Sequence, residues 1–191
     1  FTKVGDVTSE DDMEKLFDEC SERFSPCSLL VNNAGIVQEK PFMQISTNDW
    51  DQMLATHLKG CFLGCQYALR SMLKKKSGVI INIASQLGQI GGFELAHYSA
   101  AKAGMHGFTK ALAQEVATKG VTVNTISPGY VGTSMVKKID PAILQTIVDG
   151  IPMKRLAEPS EIARVVAFLA HQDSGFISGA NIPVNGGQYM I

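Results

Sequence analysis

The sequence predicts an α/β fold in which a doubly wound parallel β-sheet is covered by helices on both faces. Two observations indicate this fold. Short apolar runs rich in β-branched residues alternate with helical patterns along the whole chain, and these runs lack the polar alternation of a half-exposed sheet. With 191 residues, of which 45% are apolar and 18% charged, the chain is predicted to form one domain over residues 1–191.

Five runs are predicted to be strands, at residues 4–7, 29–31, 79–83, 121–126 and 182–184. The stretches between them supply the helices. One helix follows Ser9, a longer one starts at Ser46 or Thr47 and ends in lysines before Gly78, and a third stops at Gly120. Shorter helices are predicted after Pro141 and Pro159, because proline suits a first helical turn.

Charge and composition exclude several partners and sites. With 17 basic and 18 acidic side chains the net charge is -1, so the chain has no positive field for nucleic acid. No apolar run approaches the roughly 20 residues that span a membrane. The first residues lack a signal-peptide pattern, so we expect a cytoplasmic protein. The four cysteines lack C-x-x-C spacing and no two histidines are four apart, so no metal site is predicted.

Polar segments follow three of the predicted strands. They are NNAG at residues 32–35, ASQ at 84–86 and SPG at 127–129. Because ligands of doubly wound sheets bind outside the carboxyl ends of the strands, we expect the chemistry of this chain to lie at that edge.

The most informative pair is Tyr98 and Lys102, which are four residues apart on a predicted helix and therefore share a face. A nearby ammonium would lower the pKa of the phenol and make proton transfer possible near neutral pH. Ser85, at a strand end, could hold a substrate carbonyl oxygen. The three residues form a carbonyl-reducing set, although Y-x-x-x-K alone is common on helices that only pack.

A glycine-rich phosphate turn is missing from the sequence. No two glycines are separated by a single residue, so no G-x-G-x-x-G turn exists. We therefore expect that the first strand–helix–strand unit of the fold, with its pyrophosphate site, lies upstream of residue 1.

Together, NNAG at 32–35, Ser85, YSAAK at 98–102 and SPG at 127–129 resemble the short-chain dehydrogenase/reductase family over the whole chain. The resemblance implies a Rossmann-type fold that lacks its first βαβ unit here. Residues 105–131 and 151–163 are most similar to the bacterial branch that reduces acetoacetyl-CoA. The branch that reduces 3-oxoacyl groups on a carrier protein is nearly as similar.

The resemblance implies that Tyr98 is the general acid, that Lys102 holds the nicotinamide ribose and that Ser85 orients the carbonyl. It implies NADPH as cofactor, with NAD not excluded. The cofactor contacts it implies are Asp6, Val7, Asn33, Ala34, Gly35, Tyr98, Lys102, Pro128, Gly129, Val131 and Thr133.

The activity implied is NADPH-dependent reduction of acetoacetyl-CoA to 3-hydroxybutanoyl-CoA by a homotetramer. Two alternatives stay open: a 3-oxoacyl-carrier-protein reductase of fatty acid synthesis, and a catalytically silent binding or assembly subunit. Besides the missing phosphate turn, the chain departs from the family at His57, where the family has asparagine. His57 is interpreted either as a buried histidine on an apolar stripe or as a direct proton relay.

Overall fold

The fold is organised around one parallel sheet. The structure, a computed structural model, describes residues 1–134, 136 and 139–190. Within them the strands lie side by side in chain order: β1 (Leu29–Asn32), β2 (Gly78–Ile83), β3 (Val121–Pro128) and β4 (Asn181–Val184). All three neighbouring pairs are parallel, so each connection must cross a face of the sheet. The predicted α/β class and four of the five predicted strands are confirmed.

Helices cover both faces of this sheet. The described helices are α1 (Glu10–Arg23), α2 (Thr47–Leu54), α3 (Gly60–Lys75), α4 (Leu87–Ile90), α5 (Ala96–Val116), α6 (Pro141–Gly150) and α7 (Pro159–Ala170). Neighbouring residues of β2 show the two layers: Ile80 packs in a core with α3 and α5, whereas Ile81 packs in a second core with Leu169 of α7. Both isoleucines are buried completely.

The predicted helix starts agree with local chemistry. The Ser9 hydroxyl accepts a hydrogen bond from the backbone of Asp12, and Ser46 forms a capping box with Asp49. Pro141 and Pro159 lie in the first turns of α6 and α7, and the left-handed Gly120 follows the end of the α5 region.

One prediction about the elements is wrong, and a second is confirmed with a local change. Residues 4–7 form no strand: Val4 is fully exposed, and the Asp6 carboxylate closes a turn by accepting hydrogen bonds from the backbone and hydroxyl of Thr8. A strand needs a neighbouring backbone, and among the described strands β1 pairs with β2 alone. The long helix after Ser46 continues to Lys75 as predicted, but a π-helical turn at Ala55–Lys59 breaks its α-helical hydrogen-bond pattern between α2 and α3.

None of the described helices combines the length and the apolar composition needed to cross a bilayer. Among the same residues, no three histidine, cysteine, aspartate or glutamate side chains are close enough together to hold a metal ion.

Close packing between α3 and β1 yields a stability prediction. A Cβ at Gly64 would overlap the side-chain oxygen of Asn32, whose amide donates to Asn82 at 2.8 Å. We expect Gly64→Ala to lower the free energy of unfolding by about 2 kcal/mol, through overpacking and a strained, partly buried hydrogen bond. Gly150→Ala is the control, because a Cβ there meets no atom within 4 Å. Denaturant titration checks both variants, and equal effects would contradict the packing argument.

Candidate active site

Ser85 and Tyr98 lie on one cavity at the carboxyl edge of the sheet. Ser85 follows β2, Tyr98 is in the first turns of α5, and both line a cavity of about 170 Å³. The Ser85 hydroxyl accepts a hydrogen bond from the backbone of Leu87 at 3.1 Å. This bond fixes the serine side chain on the cavity that it shares with the Tyr98 phenol. The cavity can therefore present two hydroxyl groups to a single substrate oxygen.

Lys102 lies one helical turn after Tyr98 and is 4% exposed. Its Nζ donates to the carbonyl oxygen of Ile83, the last residue of β2, at 2.7 Å. The same nitrogen is 5.7 Å from the centre of the Tyr98 ring. Burial lowers the pKa of Lys102 to about 8.

The structure corrects the predicted pKa of Tyr98. Burial raises the pKa of the phenol, and the Ser85 hydroxyl offsets this effect in part. The expected lowering by Lys102 is wrong, because the ammonium is directed to the Ile83 carbonyl rather than to the phenol oxygen. Tyr98 is consequently protonated at neutral pH, which is the form that a general acid needs.

His57 is buried in the π-helical turn, with 3% of its surface exposed. Its Nε2 is 2.7 Å from the carbonyl oxygen and 3.2 Å from the amide nitrogen of Ile36, and its ring meets the Tyr98 ring edge-on at 5.4 Å. Burial and the Lys102 charge lower the pKa of His57 to about 4, so the ring is neutral. Within the described chain Nδ1 has no hydrogen-bond partner, so the geometry favours the buried histidine over the proton relay.

Three of the predicted cofactor contacts meet in a second cavity. Val7, Asn33 and Ala34 line a space of about 150 Å³ that His57 also borders. Gly35 packs against the imidazole so closely that a Cβ would lie 2.5 Å from its Cε1. Because His57 also contacts Tyr98, the two cavities are neighbours. Asp6 is not among the described lining residues, since Thr8 holds its carboxylate.

The segment after β3 forms a wall of the first cavity. Gly129 lines it and lies so close to Asn185 that a Cβ would come within 2.9 Å of that residue. The Pro128 carbonyl accepts the amide of Gln86 at 3.1 Å, which ties the wall to the segment that contains Ser85.

Val131 and Thr133 lie farther along the same segment. Val131 forms an isolated parallel bridge with Ala157, and the amide of Thr133 donates to the Val131 carbonyl at 2.7 Å. Neither residue is among the described residues that line the two cavities.

Sequence reasoning missed several lining residues of the first cavity. They include Val37, Glu39 and Tyr130. Tyr130 directly follows the SPG motif, and a polar aromatic residue at a strand end was a usable signal. Val37 and Glu39 carried no comparable signal, because their orientation depends on how residues 36–40 are attached to the protein.

Comparison with known proteins gives one family model and several curated relatives. The family model described as enoyl-(acyl carrier protein) reductase matches residues 2–188. The acetoacetyl-CoA reductase of Allochromatium vinosum is 49% identical over 187 residues, which cover 98% of this chain and 76% of that protein. The acetoacetyl-CoA reductase of Cupriavidus necator is 46% identical over 186 residues, covering 97% and 76%. The 3-oxoacyl-[acyl-carrier-protein] reductase FabG of Vibrio cholerae is 40% identical over 185 residues, with the same coverage.

The buried ammonium yields a prediction about stability. Depressing the pKa of Lys102 from 10.5 to about 8 corresponds to about 3 kcal/mol at pH 7, of which the bond to Ile83 returns a part. We therefore expect Lys102→Met to raise the free energy of unfolding by about 1 kcal/mol at pH 7.

The difference in the free energy of unfolding between Lys102→Met and the wild type should shrink as the pH rises from 8 to 10.5. In that window the unfolded wild-type chain binds a proton that the folded chain has lost, so wild-type stability rises with pH relative to the variant. Denaturant titrations at pH 7 and pH 10 measure both effects. A variant that is less stable than the wild type at pH 7 would show that the ammonium carries no net burial cost.

Proposed function

Because this chain belongs to the short-chain dehydrogenase/reductase family, we propose that it reduces the ketone of a 3-oxoacyl thioester, with acetoacetyl-CoA as the first candidate and 3-hydroxybutanoyl-CoA as product. The observation that carries the proposal is the shared cavity of Ser85 and Tyr98, with the Lys102 ammonium one helical turn behind the phenol. The two acetoacetyl-CoA reductases described above support the thioester class.

Each of the three side chains has a distinct task in this reaction. The Ser85 hydroxyl donates a hydrogen bond to the ketone oxygen and holds it beside Tyr98. Tyr98 gives its proton to that oxygen as negative charge develops, because its raised pKa keeps the proton available. The Lys102 ammonium, 5.7 Å from the ring centre, would hold the nicotinamide ribose beside the phenol.

The residues that line the two cavities fit the adenosine side and the nicotinamide ribose of a nicotinamide dinucleotide. When bound, this cofactor supplies the hydride that the ketone carbon receives. Val7, Asn33 and Ala34 would contact the adenosine side, and Tyr98 and Lys102 the nicotinamide ribose; Asp6, Gly35, Pro128, Gly129, Val131 and Thr133 would complete the contacts. Nδ1 of His57, which borders the second cavity and has no partner in the described part of the chain, is the kind of buried polar atom that a ligand can satisfy.

Three finer points belong to the proposal. We propose NADPH rather than NADH as the cofactor. We also propose that residues 1–191 form one Rossmann-type domain whose pyrophosphate-binding turn is not part of this sequence, because no G-x-G turn occurs in it. A cytoplasmic location stays a prediction.

A carrier-protein thioester is the second candidate substrate. The Vibrio cholerae relative, named for a 3-oxoacyl-[acyl-carrier-protein] substrate, is 40% identical to this chain. Parallel assays with acetoacetyl-CoA and with a carrier-protein thioester of the same acyl group would decide between the two carriers.

An apolar groove between α3 and α5 supports a homotetramer. Phe62, Cys65 and Leu69 on α3 and Phe108 and Leu112 on α5 line a space of about 270 Å³, and Phe62 is 44% exposed. Exposed apolar grooves of this kind commonly mark contacts between subunits. We propose that a second copy of the chain covers this groove.

Removing the Tyr98 hydroxyl tests the proposed chemistry. Tyr98→Phe should lower kcat for acetoacetyl-CoA by about a thousandfold, because the proton donor is lost, while affinity for NADPH stays within about threefold. NADPH oxidation followed by absorbance measures the first and fluorescence titration the second. Tyr67→Phe is the matched control, since its hydroxyl bonds the Glu10 carbonyl outside the site. Full activity of Tyr98→Phe would refute the proposed role, and a wild type that binds NADPH without turnover would favour the silent subunit.

The oligomer prediction uses a charge in the groove. Phe62→Glu should reduce the mass of the assembly in light scattering, because the contact would bury an unpaired carboxylate. The control Phe176→Glu alters a fully exposed phenylalanine outside the groove and should leave the mass unchanged. A wild-type monomer, or equal masses for wild type and Phe62→Glu, would contradict the proposed contact.

A further inference from the structure

Residues 36–40, here called the strap, follow the NNAG segment and border the first cavity. Exposure alternates along the strap: Ile36, Gln38 and Lys40 are half-buried, whereas Val37 and Glu39 are exposed. Val37 and Glu39 are also the strap residues that line the cavity of Ser85 and Tyr98. Such a period of two is typical of an extended segment whose side chains point alternately toward the cavity and toward the rest of the protein.

The half-buried residues attach the two ends of the strap. The peptide groups of Ile36 lie against Nε2 of His57, at 2.7 and 3.2 Å. At the other end, the Lys40 amide donates to the Glu94 carbonyl at 2.9 Å, and its ammonium donates to the Asp49 carboxylate at 2.6 Å. The strap is therefore fastened to the π-helical turn, to the segment before α5 and to α2.

The middle of the strap is attached by His97. This residue directly precedes Tyr98, is completely buried, and has its Nε2 3.4 Å from the side-chain oxygen of Gln38. Because the amide oxygen can only accept, the imidazole donates from Nε2. Nδ1 has no partner in the described part of the chain, so this hydrogen bond is the one the buried ring makes there.

We propose that His97 is a positioning residue that, through Gln38, holds Val37 and Glu39 of the strap in place as the substrate-facing wall of the cavity. This inference rests on the proposed function, which supplies the thioester that the wall would contact. A strap that is fixed in advance loses little conformational freedom when substrate binds, so its fastening improves affinity. His97 touches no reacting atom in this arrangement, and its loss should act on KM rather than on kcat.

A double-mutant cycle tests the link between the two residues. His97→Leu and Gln38→Met should each raise KM for acetoacetyl-CoA about tenfold, with kcat within about threefold of the wild type. The double variant should be no worse than the poorer single variant, because both single variants break the same bond between His97 and Gln38. Gln38→Met also removes an amide that acts on the Asp49 carboxylate, so it should be the poorer of the two. His97→Gln should restore KM to within about threefold of the wild type, since the glutamine amide can donate from the place of Nε2.

Hydrogen exchange supplies a readout that needs no activity. Peptides covering residues 36–40 should exchange faster in His97→Leu and in Gln38→Met, and at the wild-type rate in His97→Gln. His171→Leu and Gln145→Met are the matched controls, because both residues are exposed and lie outside the strap and the cavity. Should the leucine variant not fold, Gln38→Met and His97→Gln still carry both measurements.

Three results would overturn the inference. Unchanged KM together with unchanged exchange would show that the bond does not hold the strap. KM effects that multiply in the double variant would show that His97 acts independently of Gln38. A loss of kcat at constant KM would show that His97 positions its neighbour Tyr98 and not the strap. If the wild type reduces neither acetoacetyl-CoA nor the carrier-protein thioester, the proposed function is wrong, and the exchange rates alone decide whether His97 fastens the strap.

Discussion

The hydrogen bond between the Lys102 ammonium and the Ile83 carbonyl sets the position of α5 along the sheet. Ile83 is the last residue of β2, and Ser85 follows two residues later. This bond therefore fixes the position of Tyr98 relative to Ser85 along the strand direction. A second buried bond has the same effect farther along, where the Asn82 amide donates to the Thr109 hydroxyl at 2.8 Å. A helix tied to one strand at two points cannot slide, and the catalytic geometry requires that constraint.

The buried polar groups behind the site continue into β1. The Asn32 amide donates to the side-chain oxygen of Asn82 and lies 3.3 Å from the Cys65 sulfur of α3. Asparagines inside a parallel sheet are costly unless they are hydrogen-bonded, and here each one joins two elements. The same side chains that reduce apolar burial therefore specify how α3, β1, β2 and α5 are aligned.

The sequence was sufficient where one short-range rule decides the outcome. Tyr98 and Lys102 share a face because they are four apart, and Ser85 faces the crevice because it follows a strand. The sequence was insufficient where the conformation or the pKa of a residue depends on groups that are distant in the chain. Residues 4–7 have the composition of a strand, but composition does not reveal whether a pairing partner is present. The pKa of Tyr98 depends on burial, and the strap depends on two histidines that are far from it in sequence.

The π-helical turn at Ala55–Lys59 holds one more residue than an α-helical turn would. Removing one residue there would permit an uninterrupted α-helix with regular hydrogen bonds and would leave α3 in nearly the same rotation, because the wider turn absorbs the extra residue locally. Cys61 and Met72 would therefore keep their places in the core, whereas His57, which contacts Tyr98 from within the widened turn, would lose its position. A one-residue deletion at this turn should accordingly alter the site long before it alters the core.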